Sequence, residues 1–308
     1  MRREVEARAR AERTPVRVAT PRPTWLRVRV PASGEAARVR EIVRAGGLHT
    51  VCFSAACPNL GECWSHGTAT FMIGGNLCTR ACGFCDVATG RPGPLDPEEP
   101  GRVAEAVARL GLGFAVITAV ARDDLADGGA GQMAATVRAV RARCPGTGIE
   151  VLIPDYRGDE AALSTVLDAS PDVLNHNLET VERLQRRVRK AGRYDRSLAV
   201  LRRAGELRPD IPTKTGLMLG LGERDDELER SLGDLREAGV RLLTLGQYLQ
   251  PSPAHLPVER FVPPEEFERW AERARELGFE EVAAGPLVRS SYRAERLAGR
   301  LAPPQGFR

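Results

Sequence analysis

Long apolar runs are missing from this 308-residue sequence. The longest candidate, GFAVITAV (113–120), has the length of a strand, and no eighteen consecutive apolar residues occur. A conventional membrane-spanning helix is therefore excluded, and no membrane partner is expected. The N-terminal stretch MRREVEARARAER has no apolar segment of the secretory kind, and its glutamates speak against an organellar transit peptide. A cytoplasmic address is the expectation. Aromatics make up only 5% of residues and net charge is +4, with no basic stripe interleaved with aromatics, so nucleic acid is not an expected partner. Lysine occurs only at Lys190 and Lys214, and the arginine that replaces it reads as the usage of a GC-rich genome. No fixed-period repeat is visible. Cysteine is scarce too, at seven residues, and its distribution is uneven.

What is present is an ordinary core and a regular alternation. The hydrophobic fraction, 42%, suffices for a sizeable globular domain. Residues 1–23 are rich in Arg, Glu and Pro without apolar periodicity and read as a mobile arm. A helix is expected over 34–46, ending at Gly46-Gly47. Strand-like runs follow at 70–75, 114–120, 149–154, 172–177, 213–219 and 241–248, with a last short run at 281–286. Helical stretches lie at 98–111, 130–143, 158–169, 178–189, 194–207, 223–238 and 263–277, the last opening on Pro264 and two glutamates. Six successive β-then-α units predict a parallel sheet with right-handed crossovers. Six is fewer than the eight of a closed barrel, so the expected fold is α/β, a partial (β/α)6 TIM-type barrel. The expected division is an arm (1–23), an N-terminal cysteine-rich extension (24–69), the barrel (70–286) and a C-terminal tail (287–308) closing over the site.

Six of the seven cysteines fall within positions 52–85. A reducing compartment disfavours disulfides and points to metal ligation or redox chemistry. Cys78, Cys82 and Cys85 form C-x3-C-x2-C in the loop after the first barrel strand, on the face where such barrels carry active sites. Three thiolates leave one iron of a four-iron cluster without an external ligand. The competing reading, zinc completed by a histidine, has only His49, His66, His176 and His255 to draw on, none at finger spacing. Cys52, Cys57 and Cys63 form a second, wider group of three. Cys144, before Pro145, reads as structural. Polar residues at strand ends, Thr118, Asn175, Glu179, Lys214 and Gln247, are candidate ligand contacts, although such residues also cap helices. GLMLGLGE (216–223), with Met218 and Gly220, allows close backbone approach at its glycines. The stretch otherwise reads as a loop leading into a helix, with Glu223 in the first turn.

The CTRACGFC loop resembles the signature of radical S-adenosylmethionine (SAM) enzymes, with Phe84 matching the aromatic before the last cysteine. That resemblance implies a partial (β/α)6 barrel and a 4Fe-4S cluster on Cys78, Cys82 and Cys85. Its open iron would hold the amino and carboxylate groups of SAM and release a 5′-deoxyadenosyl radical. The resemblance also implies that a ligand makes the close approach to the backbone at the GLMLGLGE glycines. C-x4-C-x5-C followed by C-x3-C-x2-C, with RSSY at 289–292, resembles the lipoyl synthase family more narrowly. PNLGECW, GTATFMI, ARDDLADGGA, NHNLETV, YDRSL, KTGLMLGLGE, GQYLQPS and AAGPLVRSSY extend the likeness over roughly residues 22–300. The chain departs from the pattern after Cys52, where Phe53 and Ser54 stand in place of acidic residues.

The narrower resemblance implies a second, auxiliary 4Fe-4S cluster on Cys52, Cys57 and Cys63, completed by a serine oxygen, Ser291 by position or else Ser290. It implies sulfur insertion at C6 and C8 of an octanoyl group on a lysine of a lipoyl-carrier domain or H-protein, using two SAM per lipoyl group. Those carbons carry no acidifying neighbour, so a general base has nothing to act on, and a cofactor radical carries the step. A hard oxygen on one iron would make that iron releasable. An electron donor such as ferredoxin or flavodoxin and an iron–sulfur cluster carrier are implied partners. The competing readings are another two-cluster sulfur-inserting radical enzyme, such as a methylthiotransferase, and a non-catalytic iron–sulfur electron carrier. The first would bring an added nucleic-acid-binding domain, and the second would fill four cysteine positions per cluster.

Overall fold

The computed structural model describes residues 22–26, 34–54, 59, 63, 68–292 and 294–299. Residues 1–21 of the expected arm (1–23), Cys57 and the last residues of the tail lie outside them. Eight strands form one sheet in the order β1 to β8: His49–Thr50, Thr68–Ile73, Phe114–Ala119, Gly148–Leu152, Val173–Asn175, Thr213–Leu219, Leu242–Gln247 and Glu281–Gly285. β1 is antiparallel to β2, and every pairing from β2 to β8 is parallel. The six expected strands are β2 to β7, and the short run at 281–286 adds a seventh parallel strand. β8 does not pair with β1, so the barrel stays open.

The longer helices are α1 (Gly34–Ala45), α2 (Glu99–Leu110), α3 (Ala130–Arg143), α4 (Glu160–Leu167), α5 (Tyr194–Leu207), α6 (Asp225–Glu237), α7 (Pro264–Glu276) and α8 (Ala294–Gly299). α4 starts at Glu160 because the Asp159 carboxylate accepts from the amides of Ala161 and Ala162 at 2.9 and 3.2 Å. β2 ends at Ile73, short of the expected 75, because Gly74 and Gly75 turn out of the strand at positive φ.

The helix expected over 178–189 does not form as one piece. Only a 3-10 turn at Glu182–Leu184 and a helical turn at Gln185–Val188 are present. Glu179 adopts φ 70 and pairs its backbone with β6, donating to Gly216 O at 2.9 Å and accepting from Met218 N at 2.9 Å. These bonds hold the chain in the sheet for longer than its apolar spacing suggests.

Alternation along the strands sorts their side chains. Phe71, Ile73, Ala115, Ile117, Ile149, Val151 and Leu174 face outward and share one core with Val103, Val107, Val137 and Leu163 of the helices. A second core joins Leu217, Leu219, Leu243 and Leu245 to Leu228, Leu232, Phe267 and Trp270. The alternate positions face the barrel interior, and several are polar: Thr118, Glu150, Asn175, Lys214 and Thr244 are all buried.

The tail crosses β7 and then descends. A Cβ on Gly246 would collide with the Val288 carbonyl, so this strand position has to be glycine for the tail to pass. Arg289 donates to Gln247 O at 3.3 Å. Ala294, fully buried, packs on Phe114 and Val116, and Glu295 accepts from Thr68 Oγ1 at 2.9 Å at the start of β2.

Candidate active site

The Cys78–Cys85 loop leaves β2 at its C-terminal end and is tied down along its length. Cys78 donates to Ala88 O at 2.8 Å, and Thr79 donates to Ala121 O at 3.1 Å. Gly83 donates to Val188 O at 2.9 Å and accepts from Leu256 N at 3.0 Å. His255 Nε2 lies 3.0 Å from Cys85 O. Arg80, between two of the cysteines, reaches back to carboxylates at two neighbouring strand ends. Its Nε is 2.7 Å from Asp123, its Nη2 2.6 Å from Asp155, and Arg196 adds a second contact to Asp155 at 3.1 Å. Asp155 is completely buried. Burial alone would raise its pKa, but Arg80, joined by the Arg157 amide, outweighs it and holds the carboxyl below its ordinary range. The brace is therefore charged and rigid at neutral pH.

Cys78, Cys82 and Cys85 form no disulfide and are half-buried. Burial pushes Cys82 up to about 12, with Cys85 adding to the effect and the Arg189 cation opposing it. Cys85 is raised by burial as well. Thiols of this kind give up their protons on metal binding, so loading is coupled to proton release. Among the described residues, no three His, Cys, Asp or Glu side chains are placed to hold a single metal ion. Three soft thiolate donors on one loop suit an iron–sulfur cluster by their chemistry.

The interior polar residues are committed to different degrees. Lys214 Nζ lies 2.8 and 3.1 Å from the Glu150 carboxylate, both side chains wholly buried, and Asn175 Nδ2 donates to the same carboxylate at 2.8 Å. Thr118 donates to Leu152 O at 3.0 Å. Gln247 donates to Leu219, Tyr248 and Arg260 carbonyls and accepts from Val262 N, which uses its whole amide. A Cβ on Gly220 would strike Gln247 and the Arg260 carbonyl, and Glu223 accepts from the amides of Gly220 and Leu221 at 2.6 and 2.9 Å. The close approach at Gly220 is thus to this chain's own atoms.

Other atoms remain uncommitted. Asn175 Oδ1 and Asn177 Oδ1 are buried without a partner among the described residues. Glu179, which takes a bond from Asn177 Nδ2 at 3.0 Å, has its pKa raised by burial, with Arg189 opposing. Phe84 and Met218 are partly buried against the second core.

Arg80, Asp123, Asp155, Asn177 and Arg189 were not singled out from sequence. Arg80 had a signal, its place between two ligands. Arg189 had none, because it lies in an arginine-rich run where only burial distinguishes it. Cys144 packs on the first core as expected of a structural thiol.

Of the first cysteine group, Cys52 is buried and Cys63 half-buried, and both pack on the first core. Asn59, 5% exposed, donates to Leu287 O at 2.6 Å, and its own carbonyl accepts from Cys63 N at 2.9 Å. The segment carrying these cysteines therefore touches the tail four residues before Ser291. Ser290 and Ser291 are half-buried in a turn closed by Tyr292 N on Arg289 O at 2.9 Å.

An open parallel barrel with three thiols on the loop after its first parallel strand defines the radical SAM class of enzyme, and residues 72–235 match the radical SAM superfamily. A solved structure of Streptococcus suis SuiB bound to precursor peptide SuiA shares the fold, with TM-score 0.56 at 10% identity over 92% of this chain and 61% of that one. Curated relatives are far more similar. The lipoyl synthase of Thermus thermophilus is 54% identical over 297 residues, 96% of this chain and 92% of the relative. That of Thioalkalivibrio sulfidiphilus is 52% identical over 306 residues, 97% and 96% of the two chains. The chain belongs to the lipoyl synthase family.

Proposed function

We propose that this chain inserts two sulfur atoms, at C6 and C8, into an octanoyl group carried on a lysine of a lipoyl-carrier domain or H-protein. The observation that carries the reading is the Asn59–Leu287 bond, which joins the first cysteine group to the tail bearing Ser291 on a barrel whose mouth holds the second group. Cys78, Cys82 and Cys85 hold the radical-generating 4Fe-4S cluster, and Cys52, Cys57, Cys63 and Ser291 hold the auxiliary one. When bound, SAM and the two clusters supply a carbon-centred radical able to take hydrogen from unactivated carbons, and the sulfur that replaces it.

The residues do the rest. The Arg80 brace fixes the ligand loop, and the Glu150–Lys214 pair sets a polar barrel floor. Asn175, Glu179, Phe84 and Met218 are the cofactor contacts with atoms or surface to offer. Thr118, Lys214, Gly220 and Gln247 shape the cavity while their polar atoms serve the protein. In this reading residues 24–69 form the auxiliary-cluster extension, 70–286 the barrel and 287–308 the tail.

A ferredoxin or flavodoxin supplies electrons and a cluster carrier rebuilds the auxiliary site in the cytoplasm. Among the described residues, no helix is long and apolar enough to cross a membrane. The test is anaerobic incubation of the reconstituted protein with octanoyl-lysine peptide, SAM and dithionite, followed by mass measurement. Mono- and dithiolated peptide should form, with about two 5′-deoxyadenosines per lipoyl group. Steady SAM cleavage without any C–S bond would refute the sulfur-inserting reading.

A further inference from the structure

Between β5 and α5 the chain reads ERLQRRVRKAGR (182–193), six basic residues against the single acid Glu182, in a protein whose whole net charge is +4. Five of the six are exposed: Arg183, Arg186, Arg187, Lys190 and Arg193. Three of these are paired at the surface. Arg183 meets Glu227 at 2.6 Å, Arg187 meets Glu259 at 2.8 Å and Arg193 meets Asp195 at 2.6 Å. Arg186 and Lys190 make no ion pair among the described residues. The segment also backs directly onto the cysteine loop. Gly83, between Cys82 and Cys85, donates to Val188 O at 2.9 Å, and a side chain there would stand 3.3 Å from Arg187 O. Arg189 is the buried member, and its charge is felt at Cys82.

We propose that the exposed face of this segment, centred on Arg186 and Lys190, is the docking surface for an acidic one-electron carrier protein. The proposal rests on the radical-generating role assigned to Cys78, Cys82 and Cys85. Unpaired cations on a neutral-to-basic background attract an acidic partner and orient it, raising the association rate by about 10- to 1000-fold at low salt. An electron has only to be brought close to the ligand loop, which one backbone hydrogen bond joins to this segment. A carrier domain must instead feed a long lysyl arm to the barrel's inner face. The docked protein loses one electron and the cluster on the loop gains it, with no proton transferred.

The test compares the cluster-loaded wild type with the Arg186→Glu/Lys190→Glu variant, using a purified flavodoxin as probe. Binding of oxidised flavodoxin, measured by calorimetry at low ionic strength, should weaken about tenfold or more in the variant. Wild-type binding should also weaken steeply with added salt, and the variant's should not. 5′-Deoxyadenosine formation driven by reduced flavodoxin should fall in parallel, while the dithionite-driven rate stays at the wild-type level. Equal flavodoxin affinity in both proteins would overturn the proposal. So would an unchanged flavodoxin-driven rate with a raised KM for the octanoylated carrier, which would give the patch to the substrate. If the charge reversal impairs folding, Arg186→Gln/Lys190→Gln answers the same question. Failure of the wild type to cleave SAM with dithionite would sink the proposed function, yet the binding comparison would still decide the surface.

Discussion

At the scale of single residues, His176 shows how burial writes a pH dependence into the barrel. Its Nδ1 donates to Ile153 O at 2.9 Å, leaving Nε2 to accept from Ser197 Oγ at 2.9 Å, and that hydroxyl oxygen in turn accepts from Arg189. Burial lowers the pKa from 6.5 to about 4, and the nearby Arg189 charge adds to the shift. Between those values the unfolded chain takes up a proton that the folded chain refuses. This contribution to stability is complete above pH 6.5 and drains away as pH falls towards 4. Its slope is at most about 1.4 kcal/mol per pH unit. Asp155, held below the ordinary carboxylate range, loses its contribution only at lower pH, so the two windows separate. His176→Gln keeps a polar side chain but does not titrate. Urea midpoints measured from pH 7.5 to 4 should fall less steeply in this variant than in the wild type, even if the variant is weaker at neutral pH. Identical slopes would show that another group governs the region.

At the scale of elements, the cysteine loop depends on three neighbouring strand ends. Arg80 spans from the loop after β2 to carboxylates after β3 and β4. Arg80→Ala would leave the buried Asp155 carboxylate with one ion pair, to Arg196, and the Arg157 amide, and removing one partner of a buried ion pair typically costs about 3–5 kcal/mol. The expected result is a lower urea midpoint and faster loss of roughly half the iron to a chelator. Arg80→Lys should recover only part, because an ammonium cannot fork to two carboxylates. Iron retention equal to wild type in both variants would show that the loop holds its shape without the brace.

The strands of this site were readable in advance as short apolar, β-rich runs set between helical stretches, which is how strands buried on both faces of a parallel sheet read. The 182–188 turns were not. Their residues have helical spacing, and only the left-handed backbone at Glu179, held by two bonds to β6, diverts them. Gln247 and Lys214 were legible as polar residues at strand ends. Their partners were not, since a backbone carbonyl 13 residues away in Arg260, or Glu150 across the barrel, leaves no local pattern.

At the scale of the whole molecule, the segment that precedes the barrel meets the segment that follows it. Asn59 bonds to Leu287 across 228 residues, and Thr68 bonds to Glu295 across 227. The cysteine spacing alone gave no reason to bring the first group to the tail; that proximity was implied only by the family resemblance, and Asn59 supplies a physical tie for it. Ser291, four residues beyond Leu287, is therefore the place to test whether an oxygen completes the auxiliary cluster. Reconstituted wild type should hold about eight irons. Ser291→Ala should lose auxiliary iron and product while still cleaving SAM, because the Cys78–Cys85 loop is held by separate bonds. Ser291→Cys offers a soft donor in place of a hard one, so it should retain iron but release it poorly. A single-turnover assay on octanoyl-lysine peptide, counting 5′-deoxyadenosine and thiolated peptide separately, distinguishes the two. Retained 5′-deoxyadenosine with little thiolated product in both variants assigns the releasable position to Ser291. Wild-type product from both would remove Ser291 from the site and carry the same pair of substitutions to Ser290.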